Sequence, residues 1–132
     1  MKNKIFLGGT CAQTTWREDL ISSLQVDHFN PVVEDWTPEC QAIEMTQKEF
    51  NCNIHLYVIT KEIQGVFSIA EAVQSSLTQG KRTILHVIPD GFEESQIKSL
   101  KATVDLVNQN GGIAYVDSDL FRTSRVLNNA FI

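Results

Sequence analysis

Glu71 is the residue with the clearest chemical potential, and it lies in the segment Tyr57–Ala72. That segment predicts an apolar strand, a short loop containing Gly65, and a helix with Glu71 in its first turn. In an open parallel sheet, the loops that follow the strands line the crevice where small molecules bind. A carboxylate at that position can act as a nucleophile toward a sugar carbon.

The same residues also have a purely structural interpretation. Ser68-x-x-Glu71 matches a capping box, in which Ser68 caps the helix and Glu71 reaches back to the backbone N–H of Ser68. Such boxes are a common signature of a helix start. The spacing alone therefore leaves both interpretations of Glu71 open.

Other candidate site residues follow the predicted strands at the same edge of the sheet. They are Gly8, Gly9 and Thr10 after strand one, Glu34, Asp35 and Trp36 after strand two, Thr60 to Glu71 after strand three, Pro89 and Asp90 after strand four, and Asp117 after strand five. This set is acidic and has little lysine, so it favours a neutral or weakly charged ligand. Trp36 can stack on a heteroaromatic base while Asp35 accepts a hydrogen bond from the edge of that base, although packing explains Trp36 as well.

Several classes of site lack support in the sequence. The loop Gly8–Gln13 has neither the G-x-G-x-x-G pattern of dinucleotide-binding folds nor a Walker A lysine. No serine lies in G-x-S-x-G, the nucleophile motif of α/β-hydrolases. His28, His55 and His86 have no second ligand at metal-binding spacing, so we interpret them as sheet histidines and expect neither a metal nor a cofactor. A flavin-binding alternative rests only on the threonines that follow strand one.

The composition of the chain limits the classes of binding partner and the cellular compartment that we expect. The chain of 132 residues has a formal net charge of −5 and no basic segment, which disfavours a polymeric nucleic acid partner. The apolar run near the N-terminus is too short for a signal peptide, and none approaches the length of a membrane span. Cys11, Cys40 and Cys52 form no C-x-x-C pair and indicate reduced thiols in a cytoplasm, with Cys11 interpreted as buried filler. We expect residues 1–132 to form one cytoplasmic domain.

Strand and helix patterns alternate along the chain. The predicted strands are 4–8, 29–33, 53–60, 82–88 and 113–116, and the predicted helices are 16–25, 38–52, 67–79, 92–110 and 119–129. Thr15-x-x-Glu18 predicts a capping box, Thr37-Pro38 predicts a helix start, and Pro31 places strand two at an edge. Such alternation predicts an α/β fold: a three-layer, doubly wound, parallel five-stranded sheet in the flavodoxin-like order 2-1-3-4-5.

Four segments in order carry a resemblance to a known family. They are Lys4–Thr10, Phe29–Trp36, Asn51–Thr60 and Gly65–Ala72. Together they resemble the nucleoside 2-deoxyribosyltransferases, and most of all the short phage- and bacteria-associated branch of that family. The resemblance covers about residues 4–90.

The resemblance implies a reaction and roles for particular residues. Members cleave the N-glycosidic bond of a 2-deoxynucleoside and pass the sugar to another base, or to water in hydrolase relatives. Glu71 matches the nucleophile, and Gly65 to Ser68 match its loop. The implied partners are a nucleoside or nucleotide and a free nucleobase. A second carboxyl group with a raised pKa would protonate the departing base, with Asp35, Glu49 and Glu62 as candidates in that order. The predicted substrate-binding residues are Gly8, Gly9, Thr10, Trp36, Glu49, Gly65, Phe67 and Ser68.

Two further expectations come from the same comparison of motifs. Phe6 stands where well-studied members have a tyrosine, which leaves open a binding protein of the same fold that does not turn over its ligand. In the family, a C-terminal segment of a neighbouring subunit completes the pocket. We therefore expect a homo-oligomer in which Asn128-Asn129 reaches across.

Overall fold

Five strands and five α-helices make up the computed structural model, which describes residues 2–11, 13–33, 35 and 37–131. The strands are β1 Lys4–Gly9, β2 Asp27–Phe29, β3 Ile54–Ile59, β4 Arg82–Val87 and β5 Ile113–Val116. The α-helices are α1 Trp16–Ile21, α2 Pro38–Thr46, α3 Phe67–Ser76, α4 Glu94–Gln109 and α5 Phe121–Phe131. A π-helical segment, Gln47–Asn51, continues directly from α2.

The sheet has the predicted order β2-β1-β3-β4-β5, and every neighbouring pair is parallel. Side chains of a strand alternate between its two faces, so β3 contributes to two cores. Leu56 and Val58 pack with residues of α1 and α5, whereas Tyr57 and Ile59 pack with residues of α3 and α4. All six residues of β3 are buried, as expected for a central strand covered on both faces.

Strand β2 differs from its prediction in position. It spans Asp27–Phe29 and not residues 29–33, and it lies at the sheet edge as expected. Because Pro31 has no N–H to donate, the ladder cannot extend through it. Val32 and Val33 are therefore left exposed in the loop that follows.

Of the two helix starts predicted in the first half of the chain, one is confirmed and one is wrong. Thr37 caps α2 by accepting the N–H of Cys40 at 3.2 Å, which confirms that start. The Thr15 capping box is wrong, because the Thr15 hydroxyl contacts the Asp19 carboxylate at 3.2 Å and caps no backbone group.

Several helix ends also differ from the prediction. Helix α1 ends at Ile21, and the predicted helix 38–52 divides at Thr46 into α2 and the π segment. The wider turn is closed by a hydrogen bond of 2.7 Å from the Cys52 N–H to the Gln47 carbonyl, five residues back.

The C-terminal helix is tied to its own chain. Asn128 accepts the N–H of Gln25 at 2.9 Å and donates to the carbonyl of Ser23 at 2.9 Å. These contacts use the Asn128 amide at the end of α1 of the same chain, and the expectation that Asn128-Asn129 reaches across to a neighbouring subunit stays a prediction. Among the described residues, no helix combines the length and the apolar character that crossing a bilayer requires.

Candidate active site

Glu71 lies at an open cleft of about 610 Å³ between α2, α3 and the loop after β2. Its side chain is only 12% exposed, and its Oε2 atom lies 2.6 Å from Nζ of Lys48. Helix α3 begins at Phe67 after Val66, with no side-chain cap. The capping-box interpretation of Glu71 is therefore wrong, and the carboxylate lies just beyond the first turn of α3 because the helix starts before Ser68.

The ion pair also lines a second, smaller pocket, which we call the inner cavity because buried side chains of β3 form part of its wall. The inner cavity has a volume of about 380 Å³ and shares Lys48, Glu49, Glu71 and Gln74 with the cleft. Glu71 therefore lines both spaces.

His55 fixes the position of Lys48 relative to α3. Its Nε2 atom lies 2.7 Å from the carbonyl oxygen of Lys48, and its Nδ1 atom lies 2.8 Å from the hydroxyl of Ser75. A carbonyl can only accept, so Nε2 carries the proton and Nδ1 accepts from Ser75. Burial lowers the pKa of His55 to about 4, so the ring is neutral near pH 7. The interpretation of His55 as a hydrogen-bonded sheet histidine is confirmed.

His86 forms a matching arrangement on the other face of the sheet. Its Nε2 atom lies 2.7 Å from the carbonyl oxygen of Asp117, and its Nδ1 atom lies 2.8 Å from the hydroxyl of Thr123. It is fully buried, so it too is a satisfied sheet histidine. Its partners belong to α5 and the end of β5, away from the cleft.

Glu44 is the second carboxyl group of the cleft, and sequence analysis did not select it. It lies on α2, one turn before Lys48, and is partly buried. Burial raises the pKa of Glu44, and the negative charge of Glu71 raises it further, against smaller opposing effects of Lys48 and Arg17. A carboxyl group with a raised pKa can retain a proton and donate it.

The loop after β1 lies next to the first turn of α3. Gly9, Thr10, Gly65, Phe67 and Ser68 line a pocket of about 200 Å³, so the structure brings together five of the predicted substrate-binding residues. Phe67 and Ser68 also line the larger cleft, so the pocket and the cleft adjoin at these two residues.

Close packing explains the two glycines, Gly8 and Gly9, at the end of β1. A Cβ on Gly8 would lie 2.6 Å from the Tyr57 ring, and one on Gly9 would lie 2.2 Å from the Val58 carbonyl oxygen. Gly9 also has φ of +111°, a conformation that side chains disfavour. The hydroxyl of Thr10 accepts the N–H of Thr60 at 2.9 Å, which fastens β1 to the end of β3.

Two cationic side chains near the site were not among the predicted residues: Lys48 lines the cleft, and Arg17 lies behind the loop that follows β1. Besides Lys48, the buried guanidinium of Arg17 donates to the carbonyl oxygens of Thr10 at 2.6 Å and Leu7 at 3.0 Å. Cys11 is exposed at the rim of the cleft, so its interpretation as buried filler is wrong.

The remaining predicted residues have varied positions. Glu49 lines the cleft and is exposed, whereas Asp35 is exposed and lines none of the cavities described above. Contact with the Thr60 hydroxyl lowers the pKa of Glu62, which is the opposite of what a proton donor needs. Glu34 and Trp36 lie outside the described residues. Within the described ranges, no three His, Cys, Asp or Glu side chains form a group that could hold a metal ion.

A sequence signal existed for Glu44 but not for the pairing of Lys48. Glu44 and Lys48 are four residues apart, a spacing at which side chains of one helix face are neighbours. The contact between Lys48 and Glu71 joins residues 23 positions apart and depends on how the π segment packs against α3.

Comparison with protein families finds a match over the part of the chain that lines the cleft. The family model described as nucleoside 2-deoxyribosyltransferase like matches residues 2–91, which include every residue placed at the cleft. No curated protein and no solved structure matches the chain.

Proposed function

The chain belongs to the nucleoside 2-deoxyribosyltransferase-like family, and from that premise we propose that it cleaves the N-glycosidic bond of a nucleoside or nucleotide with Glu71 as nucleophile. Membership supports deoxyribosyl transfer in general, with small nucleosides as substrates. The observation that carries the role of Glu71 is its carboxylate, largely withdrawn from solvent yet lining an open cleft of sufficient size.

The reaction has two displacements at the anomeric carbon. A carboxylate oxygen of Glu71 attacks C1′, the bond from C1′ to the base nitrogen breaks, and its electron pair leaves with the base. The product is a glycosyl ester of Glu71, formed through an oxocarbenium-like transition state as in retaining glycosidases. A nitrogen of a second base, or water, then attacks C1′ and releases the carboxylate.

Glu44 is the best-placed proton donor for the departing base. Burial and the neighbouring charge of Glu71 raise its pKa, and it lines the same cleft. Of the donors predicted from the sequence, Glu49 lines the cleft in an exposed position and Asp35 does not line it. Protonation of the leaving nitrogen matters because a free base anion is a poor leaving group.

The cleft provides an apolar wall for a planar base. Pro31, Val32, Val33, Met45 and Phe67 all line it, and Phe67 is 74% exposed. Apolar walls with a few polar groups are typical of pockets for small organic ligands. A base against this wall would place its sugar toward α3 and Glu71.

The ion pair between Lys48 and Glu71 has a consequence for the attack on the sugar. Lys48 Nζ contacts Oε2 of Glu71, and both side chains line the cleft through which the sugar must approach. An ammonium group on the carboxylate reduces its nucleophilicity, so the binding of the sugar has to separate the two charges.

A turnover assay, combined with detection of the covalent glycosyl-enzyme, tests this proposal. The purified protein is incubated with a 2-deoxynucleoside and a different free base, and new nucleosides, released base and a glycosylated protein are measured by chromatography and mass spectrometry. We expect Glu71→Gln to reduce product formation by roughly ten-thousand-fold, as for the loss of a nucleophile, and to form no adduct. Glu39→Gln, which alters an exposed carboxylate on the first turn of α2 that does not line the cleft, is the matched control and should retain most activity. An unchanged rate in Glu71→Gln would contradict the proposal.

A binding protein without turnover is the second candidate. The contact between Lys48 and Glu71 favours it, because the ammonium group neutralises the charge of the carboxylate. It predicts that nucleosides raise the melting temperature of the protein while remaining unaltered. Appearance of exchanged nucleosides would exclude this candidate.

A further inference from the structure

Tyr57 has a buried hydroxyl group that no described residue satisfies. The residue is 1% exposed, lies in the middle of β3 and lines the inner cavity behind Glu71. Its hydroxyl oxygen has no hydrogen-bond partner among the described residues. Buried polar groups in native proteins are nearly always hydrogen-bonded, so an exception calls for an explanation.

Gly8 and His55 are close neighbours of the Tyr57 ring. Gly8 lies opposite Tyr57 in the neighbouring strand, and a Cβ there would lie 2.6 Å from the ring. The ring of His55 meets that of Tyr57 edge-on, with their centroids 6.5 Å apart. The absence of a side chain on Gly8 thus provides the space in which this phenol is held.

Carboxylates dominate the electrostatic surroundings of the hydroxyl. Burial raises the pKa of Tyr57 strongly, and the charges of Glu71 and then Glu44 raise it further. The phenol therefore stays protonated, and a protonated phenol donates a hydrogen bond to a carboxylate. Tyr57 and Glu71 both line the inner cavity, and Glu71 and Glu44 both line the cleft, so the Glu71 carboxylate borders the pocket that contains the phenol.

Among the other residues that line the inner cavity, His55, Ser75 and Lys81 already have hydrogen-bond partners. His55 bonds to Ser75 and to the Lys48 carbonyl, and Ser75 also bonds to the Thr83 hydroxyl at 2.6 Å. Lys81 donates to backbone carbonyls of Glu49 and Cys52. Tyr57 is the buried donor of this wall that remains free.

We propose that Tyr57 is a positioning residue for the nucleophile: once a bound sugar separates Lys48 from Glu71, the Tyr57 hydroxyl donates a hydrogen bond to the Glu71 carboxylate. This inference rests on the proposed function of Glu71. The bond holds the carboxylate from the inner side while the other oxygen faces C1′. It also prevents a partly buried charge from being left without a partner when the ion pair opens.

Tyrosine-to-phenylalanine variants in two backgrounds test the inference. Lys48→Met imitates the separated state, because it removes the ammonium group and keeps the aliphatic stem. In that background we expect Tyr57→Phe to lower the melting temperature by about 3 °C or more, since a hydrogen bond to a carboxylate is lost. With Lys48 present, the same change should leave the melting temperature equal or higher, because the Tyr57 hydroxyl then has no hydrogen bond to lose. Tyr115→Phe is the matched control, since the Tyr115 hydroxyl bonds to Thr123 on the other face of the sheet and should act equally in both backgrounds.

The rate of the covalent step provides a second readout. In the Lys48-containing protein, Tyr57→Phe should slow formation of the glycosyl-enzyme by about ten- to a hundred-fold with little change in KM. An effect of Tyr57→Phe on melting that does not depend on Lys48, or an unchanged rate, overturns the inference. If the unaltered protein forms no glycosyl-enzyme, the proposed function fails, and the melting comparison alone decides the role of Tyr57.

Discussion

Glu44 and Glu71 are two carboxyl groups of one cleft with different surroundings. Glu71 contacts an ammonium group at 2.6 Å, whereas burial and the charge of Glu71 raise the pKa of Glu44. Opposite environments of this kind let one carboxyl group act as a base or nucleophile while the other keeps its proton. The division of roles that we propose for Glu71 and Glu44 therefore follows from the contacts of each residue and not from its type.

The pH dependence of the reaction should report the protonation of Glu44. Because its pKa is raised and it acts in the protonated form, the rate of base release should fall as the pH rises through that raised value. Glu44→Gln should lower the rate by about a hundred-fold or more and remove this decline. Single-turnover rates over a pH series measure both effects. Glu39→Gln on the exposed first turn of α2 is the control and should retain the full profile.

A decline at high pH that persists in Glu44→Gln would assign the proton to another group. Asp35→Asn and Glu49→Gln would then identify which of the donors predicted from the sequence is responsible. Glu62 is the weakest of these candidates, because its lowered pKa leaves it ionised.

The residues of the site differ in how far the sequence could reveal them. Glu71 could be predicted because it follows a buried strand and a glycine-containing loop in the same local segment. Lys48 could not, since it contacts Glu71 only after a π-helical turn forms and packs against α3. Tyr57 resembles an ordinary core residue in the sequence, and only its missing hydrogen bond distinguishes it.

At the scale of elements, the π segment and α3 are joined through β3. Thr83 donates to Ser75, Ser75 donates to His55, and His55 donates to the carbonyl of Lys48. The direction of each bond follows from the carbonyl at the end, which can only accept. This chain of hydrogen bonds sets the distance between the elements that carry Lys48 and Glu71.

Acidification should therefore destabilise the protein through its buried histidines. The pKa of His55 is about 4 in the folded state and near 6.5 when unfolded, so the unfolded chain binds more protons between these values. The free energy of unfolding should fall as the pH drops from 6.5 to 4, by roughly 1–3 kcal/mol from His55. Urea unfolding at several pH values measures this slope, which should be shallower in His55→Gln.

His86→Gln separates the stability effect from the effect on the site. The pKa of His86 is also lowered by burial, so this variant should likewise flatten the slope. Its partners lie on the far face of the sheet, so its effect on turnover should be small, whereas His55→Gln should slow turnover. Equal effects of both variants on turnover would show that His55 has no particular role at the cleft.

The strand order could be predicted because every element follows from local patterns, whereas the course of β2 could not. Residues 29–33 have the apolar character of a strand, but Pro31 ends the ladder and the pairing moves upstream to Asp27–Phe29. Val32 and Val33 then take part in the cleft. The apolar residues that suggested a strand thus belong to the site.

At the scale of the whole molecule, the apolar side chains around the cleft remain uncovered. Val32, Val33, Met45 and Phe67 line the cleft, and each is more than 40% exposed. Exposed apolar groups that cluster in one region are typical of interaction surfaces. A second copy of the chain is the partner that the family resemblance implies, although Asn128 is bound within its own chain.

We expect the protein to self-associate through the rim of the cleft, by which we mean the four exposed apolar side chains just named. Phe67→Asp should shift it toward monomer, because burial of a phenylalanine contributes about 1.5–3 kcal/mol and an interfacial carboxylate opposes association. Sedimentation velocity at micromolar concentration measures the species present. Leu106→Asp, at a half-exposed position on α4 remote from the rim, is the control and should leave association unchanged. A protein that sediments as a monomer at these concentrations would instead require that one chain alone completes the cleft.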